Sequence, residues 1–339
     1  MKAVILVGGE GTRLRPLTET IPKPLLPIVN RPFLHRVLDH LAEHGVHEVV
    51  ASSSYLEESF AAFIAERRGD PHIIWITEAE PLGTGGAIVN ALSHVGEESF
   101  FVLNGDILTD LDLTAMLAFH RAQGAVATIA LHRVEDARPF GLVAAEAGGR
   151  VLEFREKPTE MIPGDINAGT YVLNAEALRG WDRGMISIER EIFPALIANG
   201  APVYSLLSGA YWLDLGTPER YLQAHFDVLD GHVAGLRYAA PFVARSATVD
   251  PRAILGRRVV VGDRASLAEG ARLEDSVLLS DVEVWPGARV NRSILGPGVS
   301  IGAGAVVEGS VLAAGARVES GVRLDGAKVS AGRTGGAAP

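Results

Sequence analysis

The sequence predicts an α/β protein: a Rossmann-like, three-layer domain over residues 1–235, followed by a left-handed parallel β-helix over residues 240–331. Three observations predict it. Short apolar runs alternate with amphipathic stretches through the first part, in the order strand, helix, strand, helix, which is the pattern of parallel βαβ units. The first of those runs ends in three glycines within four residues. Beyond residue 240 apolar residues recur every six positions, the mark of a coil built from hexapeptides.

Ala3 to Val7 reads as a buried strand. Phe33, Leu34, Val37, Leu38 and Leu41 form a helical stripe that Gly45 ends, and Glu48 to Ala51 reads as the next strand. Residues 55–68 read as a helix and Ile73 to Ile76 as a strand. Glu80-Pro81-Leu82-Gly83-Thr84-Gly85-Gly86-Ala87 is a second glycine-rich turn, leading to a helix over Ala87 to Ser93. Phe100 to Leu103 is a buried strand closed by Asn104-Gly105-Asp106, and Asp110 and Asp112 read as turn and cap residues. Strands are expected over 125–133, from Pro139 to Val143 and from Arg150 to Phe154. Ser187 with a glutamate a few residues on marks a helix start, and Thr217-Pro218 opens another.

Val243, Val249, Leu255, Val261, Leu267, Leu273, Leu279 and Trp285 keep the six-residue interval. The frame then slips and resumes at Leu295, Ile301 and Val307, and again at Leu312, Val318 and Leu324. Each should point into a triangular coil whose turns bury one another. Hexapeptide proteins include acyltransferases that use a histidine base. All ten histidines here lie at or before His232, so the coil is expected to be structural or oligomerising, with the chain a homo-oligomer. Residues 332–339 read as a frayed tail.

The 339 residues are 47% hydrophobic and 21% charged, which is globular composition. A net charge of −10 argues against nucleic-acid binding. No apolar run approaches the ~20 residues that span a bilayer, and the N-terminus does not read as a signal peptide. Cysteine is absent, which excludes disulfides and thiolate chemistry and fits a cytoplasmic enzyme. Only four of the 31 basic residues are lysine: Lys2, Lys23, Lys157 and Lys328. Two of them stand in motif-like surroundings, where a compact, mobile charge does what an arginine fork does not.

Gly8, Gly9 and Gly11 allow positive φ and close approach of a ligand, and free N–H groups in such a loop cradle phosphate oxygens. Thr12 adds a hydroxyl, Arg13 and Arg15 add charge, and Lys23 lies between two prolines. A dinucleotide fingerprint is excluded, because Leu14 stands where the third glycine should be. Pro16, Pro22 and Pro24 also break the helix that should follow. The Gly-Lys-Ser/Thr of a P-loop is absent. The loop reads as one for a polyphosphate. Asp106 ends a strand, which suits either a metal ligand or a turn; Mg²⁺ takes one or two carboxylates plus phosphates and waters.

These residues, with Pro22-Lys23-Pro24-Leu25-Leu26-Pro27, resemble the sugar-nucleotide pyrophosphorylases, a nucleotidyltransferase family. The resemblance covers nearly the whole chain. It implies a nucleotide site of Leu6, Gly8, Gly9, Gly11, Thr12, Arg13, Gly83, Thr84, Gly85, Asn104 and Asp106, with Gly83 to Gly85 close to the purine. It implies a sugar site of Gly141, Glu156, Lys157 and Asn167, from Pro139-Phe140-Gly141, Glu156-Lys157-Pro158 and Asn167-Ala168-Gly169. It implies Mg²⁺ on Asp106 and on Asp214 of Tyr211-Trp212-Leu213-Asp214.

The implied reaction is in-line attack of a sugar 1-phosphate on the α-phosphorus of a nucleoside triphosphate, with Arg13, Lys23, Lys157, Asp106 and Asp214 carrying it. Within the family the chain looks most like the mannose-1-phosphate guanylyltransferases, on Glu80 to Gly85, Ser187 to Pro194 and Tyr211 to Asp214, which implies GTP and mannose 1-phosphate. Lys23-Pro24 speaks against the thymidylyl branch, which shows Lys-Gln there. Glucose-1-phosphate uridylyl-, adenylyl- or thymidylyl transfer, or a non-catalytic sensing subunit, stay open. Gly105 departs from the family, where several relatives carry serine. Glu10, an anion beside anions, has no account except that it points away.

Overall fold

The computed structural model describes residues 1–53 and 57–336. In chain order the first elements are β1 (Lys2–Leu6), β2 (Pro27–Ile28), β3 (Arg31–Pro32), α1 (Phe33–Glu43), β4 (Glu48–Ser53), α2 (Glu57–Glu66) and β5 (His72–Thr77). There follow α3 (Gly83–Val95), β6 (Phe100–Asn104), β7 (Ile107–Thr109), α4 (Leu113–Ala122), β8 (Ala127–Val134), β9 (Gly141–Ala145), β10 (Val151–Glu156) and β11 (Gly164–Leu173). Last come α5 (Phe193–Ala198), β12 (Val203–Leu207), β13 (Trp212–Asp214) and α6 (Pro218–Asp230). The helix expected over 55–68 is α2; Tyr55 and Leu56 lie outside the described residues.

The chain separates into two compact units. One consists of Met1–Gly9 with Arg36–Trp212; the other joins Glu10–His35 to the chain from Leu213 onward. The division therefore crosses the glycine loop, α1 and β13.

The first unit is built on a mixed sheet in the order β10-β9-β11-β6-β1-β4-β5, with β8 paired to β11 and β12 to β8. β1 lies parallel between β4 and β6. Its Ala3, Val4 and Ile5 are fully buried, as a parallel strand covered on both faces requires. The expected βαβ units are present, but β9, β10 and β11 run antiparallel. Register aligns Leu6 with Ser52 on one side and Asn104 on the other, so the carboxyl ends of three strands form one edge. Ligands of open α/β sheets bind beyond such an edge.

In the second unit, the prolines do what their fixed φ demands. No α-helix separates β1 from α1; three short 3₁₀ turns, Thr12–Leu14, Leu17–Glu19 and Lys23–Leu25, do instead. Val29 and Asn30 (φ 45° and 62°) turn the β2–β3 hairpin with the double positive φ of a type I′ turn. α6 holds that hairpin: Tyr221 Oη donates to the Pro27 carbonyl, and buried His225 Nδ1 accepts from Val29 N–H.

From Phe242 on, three parallel sheets of six, six and five strands wind into the expected coil. The frame differs from the six-residue expectation. Phe242 pairs with Val260, but Val260 pairs with Val277, and positions thereafter stack 17 residues apart. The inward series therefore runs Leu273, Leu278, Val284, Val290, Leu295, and slips before Leu279 rather than after Trp285. Trp285 is 51% exposed, and Val284 takes its place in the core. Buried Ser276, Ser293 and Ser310 stack at the shortened corner. Each hydroxyl oxygen accepts the backbone N–H of the coil above (Ser293, Ser310 and Ala327 at 3.2, 3.0 and 3.0 Å).

The tail expected from residue 332 begins later. The 17-residue stack brings Thr334–Gly335 onto Arg317–Val318 as one more strand, and residues 337–339 lie outside the described residues. No helix among the described residues is long and apolar enough to cross a membrane.

Candidate active site

The second unit supplies Gly11, Thr12, Arg13, Lys23 and Asp214. Gly11 (φ 61°) caps the 3₁₀ turn that carries Thr12 and Arg13. A side chain there would meet both the left-handed backbone penalty and Thr18 Cγ2 at 3.0 Å. Lys23 is buried, on a turn clamped by Pro22 and Pro24. Asp214 ends β13, and its Oδ1 accepts from Gly216 N–H at 2.5 Å. A Cβ on Gly216 would stand 2.3 Å from that oxygen and 2.9 Å from Arg13 Nη2. Arg13 and Asp214 therefore converge on one backbone position, and Gly216, which no motif marks, leaves room for both. Thr217, not Asp214, caps α6, accepting from Arg220 N–H. Glu10 gains its account here: its exposed carboxylate pairs with Arg15 at 3.1 Å.

The first unit supplies Leu6, Gly8, Gly9, Asn104 and Asp106 at the sheet edge. A Cβ on Gly9 would meet nothing within 4 Å, and one on Gly8 only ordinary contact, so neither glycine is there for the protein's own packing. Gly105 is different: its N–H donates to the Leu6 carbonyl, and a Cβ would come 2.8 Å from that oxygen. The Oδ1 of Asn104 is buried with no hydrogen-bond partner among the described residues. A buried acceptor left unsatisfied costs stability, and a ligand donor would relieve it.

Beside this edge a bulge in β11 carries Asn167. Its Oδ1 accepts from Gly169 N–H at 3.0 Å, and its Nδ2 donates to Tyr171 Oη at 2.8 Å. Trp212 Nε1 ties the bulge down through the Ala168 carbonyl, with His132 stacked on the indole. Tyr171 is wholly buried and feels Glu189, Glu156 and Asp106; burial and then these charges push its hydroxyl pKa well up.

Glu156 is the last residue of β10. Burial and then Glu189 raise its pKa, against Lys157 and Arg190. A Cβ on Gly141 would lie 2.6 Å from the Phe154 ring and 2.9 Å from Glu156 Oε2, so this glycine makes room for the carboxylate. Lys157 follows at φ 51°, with Nζ 3.9 Å from Glu156 Oε1 and its side chain 59% exposed. A left-handed non-glycine residue costs on the order of 1–2 kcal/mol and is typical of functional positions.

The glycines of α3 have a structural use that the sequence did not disclose. The helix starts at Gly83, not Ala87, and Ile186 O accepts from Gly85 and Gly86 N–H at 2.8 and 3.1 Å. A Cβ on Gly83 would fall 2.6 Å from the same carbonyl. Thr84 Oγ1 bonds Glu189 Oε2 at 2.6 Å and accepts from Ile188 N–H. Ser187 caps the following π-turn (Ile188–Ile192) as expected, with Glu191 reaching back to its N–H. Glu189 thus links α3 to the acidic group around Tyr171. Asp112 caps α4 as read, but Asp110 does more than turn: it accepts from Tyr211 N–H at 2.7 Å, at the entry to β13.

The carboxylates of Asp106 and Asp214 are hard oxygen donors, and no cluster of three or more His, Cys, Asp or Glu suited to a metal occurs among the described residues. Carboxylates of this kind suit a cation that shares its shell with phosphates and water.

A family model described as nucleotidyl transferase matches residues 2–231, and one described as GMPPB C-terminal domain matches residues 239–334. The chain is 39% identical over 293 residues to a mannose-1-phosphate guanylyltransferase of Mycobacterium tuberculosis, covering 84% of this chain and 81% of that protein. It is 36% identical over 296 residues to mannose-1-phosphate guanylyltransferase 1 of Arabidopsis thaliana, covering 85% and 82%. Among solved structures, HddC from Yersinia pseudotuberculosis complexed with GMP-PN is similar at a TM-score of 0.59 and 31% identity, over 67% of this chain and 98% of that one.

Proposed function

The chain belongs to the nucleotidyl transferase family, and on that premise we propose that it transfers GMP from GTP to mannose 1-phosphate, giving GDP-mannose and pyrophosphate. The observation that carries the reading is the similarity to mannose-1-phosphate guanylyltransferases across both domains. The sugar-phosphate oxygen is already an anion, so the work is positioning and charge stabilisation rather than proton transfer. Arg13 neutralises the departing pyrophosphate. Lys23 draws the reacting phosphates together, and Lys157 orients the sugar phosphate. Glu156 and Asn167 accept and donate to sugar hydroxyls, and Asn104 Oδ1 takes a donor from the nucleotide. Asp106 and Asp214 hold Mg²⁺, which when bound supplies Lewis-acid charge at the phosphates. The absence of cysteine fits a cytoplasmic enzyme, and self-association through the β-helix completes the reading.

Pyrophosphate release, measured with four nucleoside triphosphates against several sugar 1-phosphates, tests it, with Mg²⁺ or with a chelator in each arm. GTP with mannose 1-phosphate is expected to win, and the chelator to abolish the signal. Preference for UTP or ATP with glucose 1-phosphate overturns the specificity, and no release from any pair overturns the reaction.

A further inference from the structure

The β-helix shares a compact unit with Glu10–His35, the segment that carries Arg13 and Lys23, and hydrogen bonds join the two. At the hairpin tip, Asn30 Nδ2 donates to Asp263 Oδ2 at 2.9 Å, and Asn30 Oδ1 accepts from Asp263 N–H at 3.2 Å. Nearer the phosphate loop, Glu19 reaches the last coil. Its Oε1 accepts from Ser330 Oγ at 3.0 Å and its Oε2 from Ala331 N–H at 3.1 Å. With both oxygens engaged, the carboxylate is fixed in orientation as well as position.

Glu19 follows Thr18, which is fully buried. Thr18 Oγ1 donates to the Gly11 carbonyl at 2.8 Å, and its Cγ2 fills the space a side chain at Gly11 would need. Gly11 in turn caps the turn that carries Arg13. A short, continuous chain of contacts thus runs from the terminal coil to the phosphate-binding arginine. Ahead of β2 the segment consists of three-residue 3₁₀ turns, which have little cooperative stability of their own. Ser330 and Ala331 are in place because the coil continues through Thr334–Gly335.

We propose that Glu19 is a positioning residue, through which the last coil of the β-helix holds the phosphate loop ready for the nucleoside triphosphate. This rests on the function proposed above. An untethered loop populates the competent conformation less, so apparent affinity falls by that fraction. Once bound, the nucleotide orders the loop itself. The tether therefore acts on the Kd and KM for GTP and leaves kcat and the KM for mannose 1-phosphate alone.

The test uses the full chain and its Glu19→Ala, Ser330→Ala, Ser330→Thr and double-alanine variants. GTP binding is measured by calorimetry, alongside steady-state kinetics, melting temperature and the rate of tryptic cleavage after Arg13, since prolines follow Arg15 and Lys23. Glu19→Ala should weaken GTP binding by roughly three- to tenfold, the worth of one or two net hydrogen bonds, with the melting temperature lowered by no more than about 4 °C. Cleavage within the segment should speed up in parallel. Ser330→Ala should give part of the effect and Ser330→Thr little of it. The double variant should be no worse than Glu19→Ala, because the contacts are shared. Unchanged GTP affinity with unchanged cleavage overturns the proposal. So does a fall in kcat at constant KM, or a fall in melting temperature well beyond about 4 °C, the mark of general destabilisation. Failure of the unaltered protein to bind GTP instead overturns the function, and the cleavage rates then decide the tether by themselves.

Discussion

Arg13 and Asp214 face the same backbone atom: both crowd the point where Gly216 would carry a side chain, at 2.9 and 2.3 Å. They are far apart in sequence, and the hydrogen bond from Gly216 N–H to Asp214 Oδ1 sets the carboxylate's direction. Gly216→Ala should therefore displace one or both groups without removing either. A loss of turnover on the order of 100-fold is expected, since a misplacement of about 1 Å costs that much. Circular dichroism and the melting curve should stay close to those of the unaltered protein. An alanine variant with near-normal turnover would show that neither group needs this spacing.

Asn104 predicts a trade between stability and binding. Its Oδ1 is buried without a partner among the described residues. Replacing it with leucine, of similar size, removes an unsatisfied acceptor, so the melting temperature should hold or rise. The same change removes the proposed nucleotide contact and should weaken GTP binding about tenfold. Chemical denaturation and calorimetry on one preparation check both signs. Reduced stability with intact GTP binding would assign Asn104 to the scaffold.

The strands around the site were legible because burial on both faces leaves unbroken apolar runs, as in Val4, Ile5 and Val102, and the sheet edge then follows from register. The coil was legible too, since an inward residue recurs with each side. Its true frame was not, because the serine corner shortens the coil by one residue while Leu279, three residues beyond Ser276, is buried as well and keeps an apolar residue at the expected interval. Asp110 and Glu189 were misjudged or passed over for a common reason. Asp110 acts on Tyr211 and Glu189 on Thr84, partners about a hundred residues away, and no local spacing encodes such contacts. The glycines of α3 looked like a ligand loop because glycine permits close approach of any backbone, here that of Ile186.

Acid sensitivity should come from buried imidazoles. The pKa values of His40, His120 and His132 are all lowered, by burial first, with His44 adding to the effect at His40. Their folded pKa lies below the unfolded value, so the unfolded chain takes up protons first as pH falls. The stability they contribute is complete above about pH 6.5 and is lost below it, at up to about 1.4 kcal/mol per pH unit per group. The melting temperature should fall between about pH 7 and about pH 5. His40 Nε2 has no partner among the described residues, while the ring also bonds the Leu111 backbone, so His40→Leu should flatten that slope and lower the plateau slightly. An unchanged slope would acquit His40.

Glu156 carries the opposite sign. Burial and the neighbouring Glu189 raise its folded pKa, so the ionised carboxylate is held at a cost. The stability linked to its protonated form is complete below the unfolded glutamate range and is lost as pH rises through the folded pKa. Glu156→Gln keeps the shape and removes the charge, so it should raise the melting temperature at neutral pH, and the gain should vanish towards pH 4. The amide can no longer accept from two sugar hydroxyls, and the KM for mannose 1-phosphate should rise about tenfold while that for GTP holds. This pairing of a more stable protein with a weaker sugar site is what separates a binding carboxylate from a structural one. If Glu156 served only its 3.9 Å approach to Lys157, the variant would lose stability and keep its KM, because an exposed lysine would be left without its counter-charge.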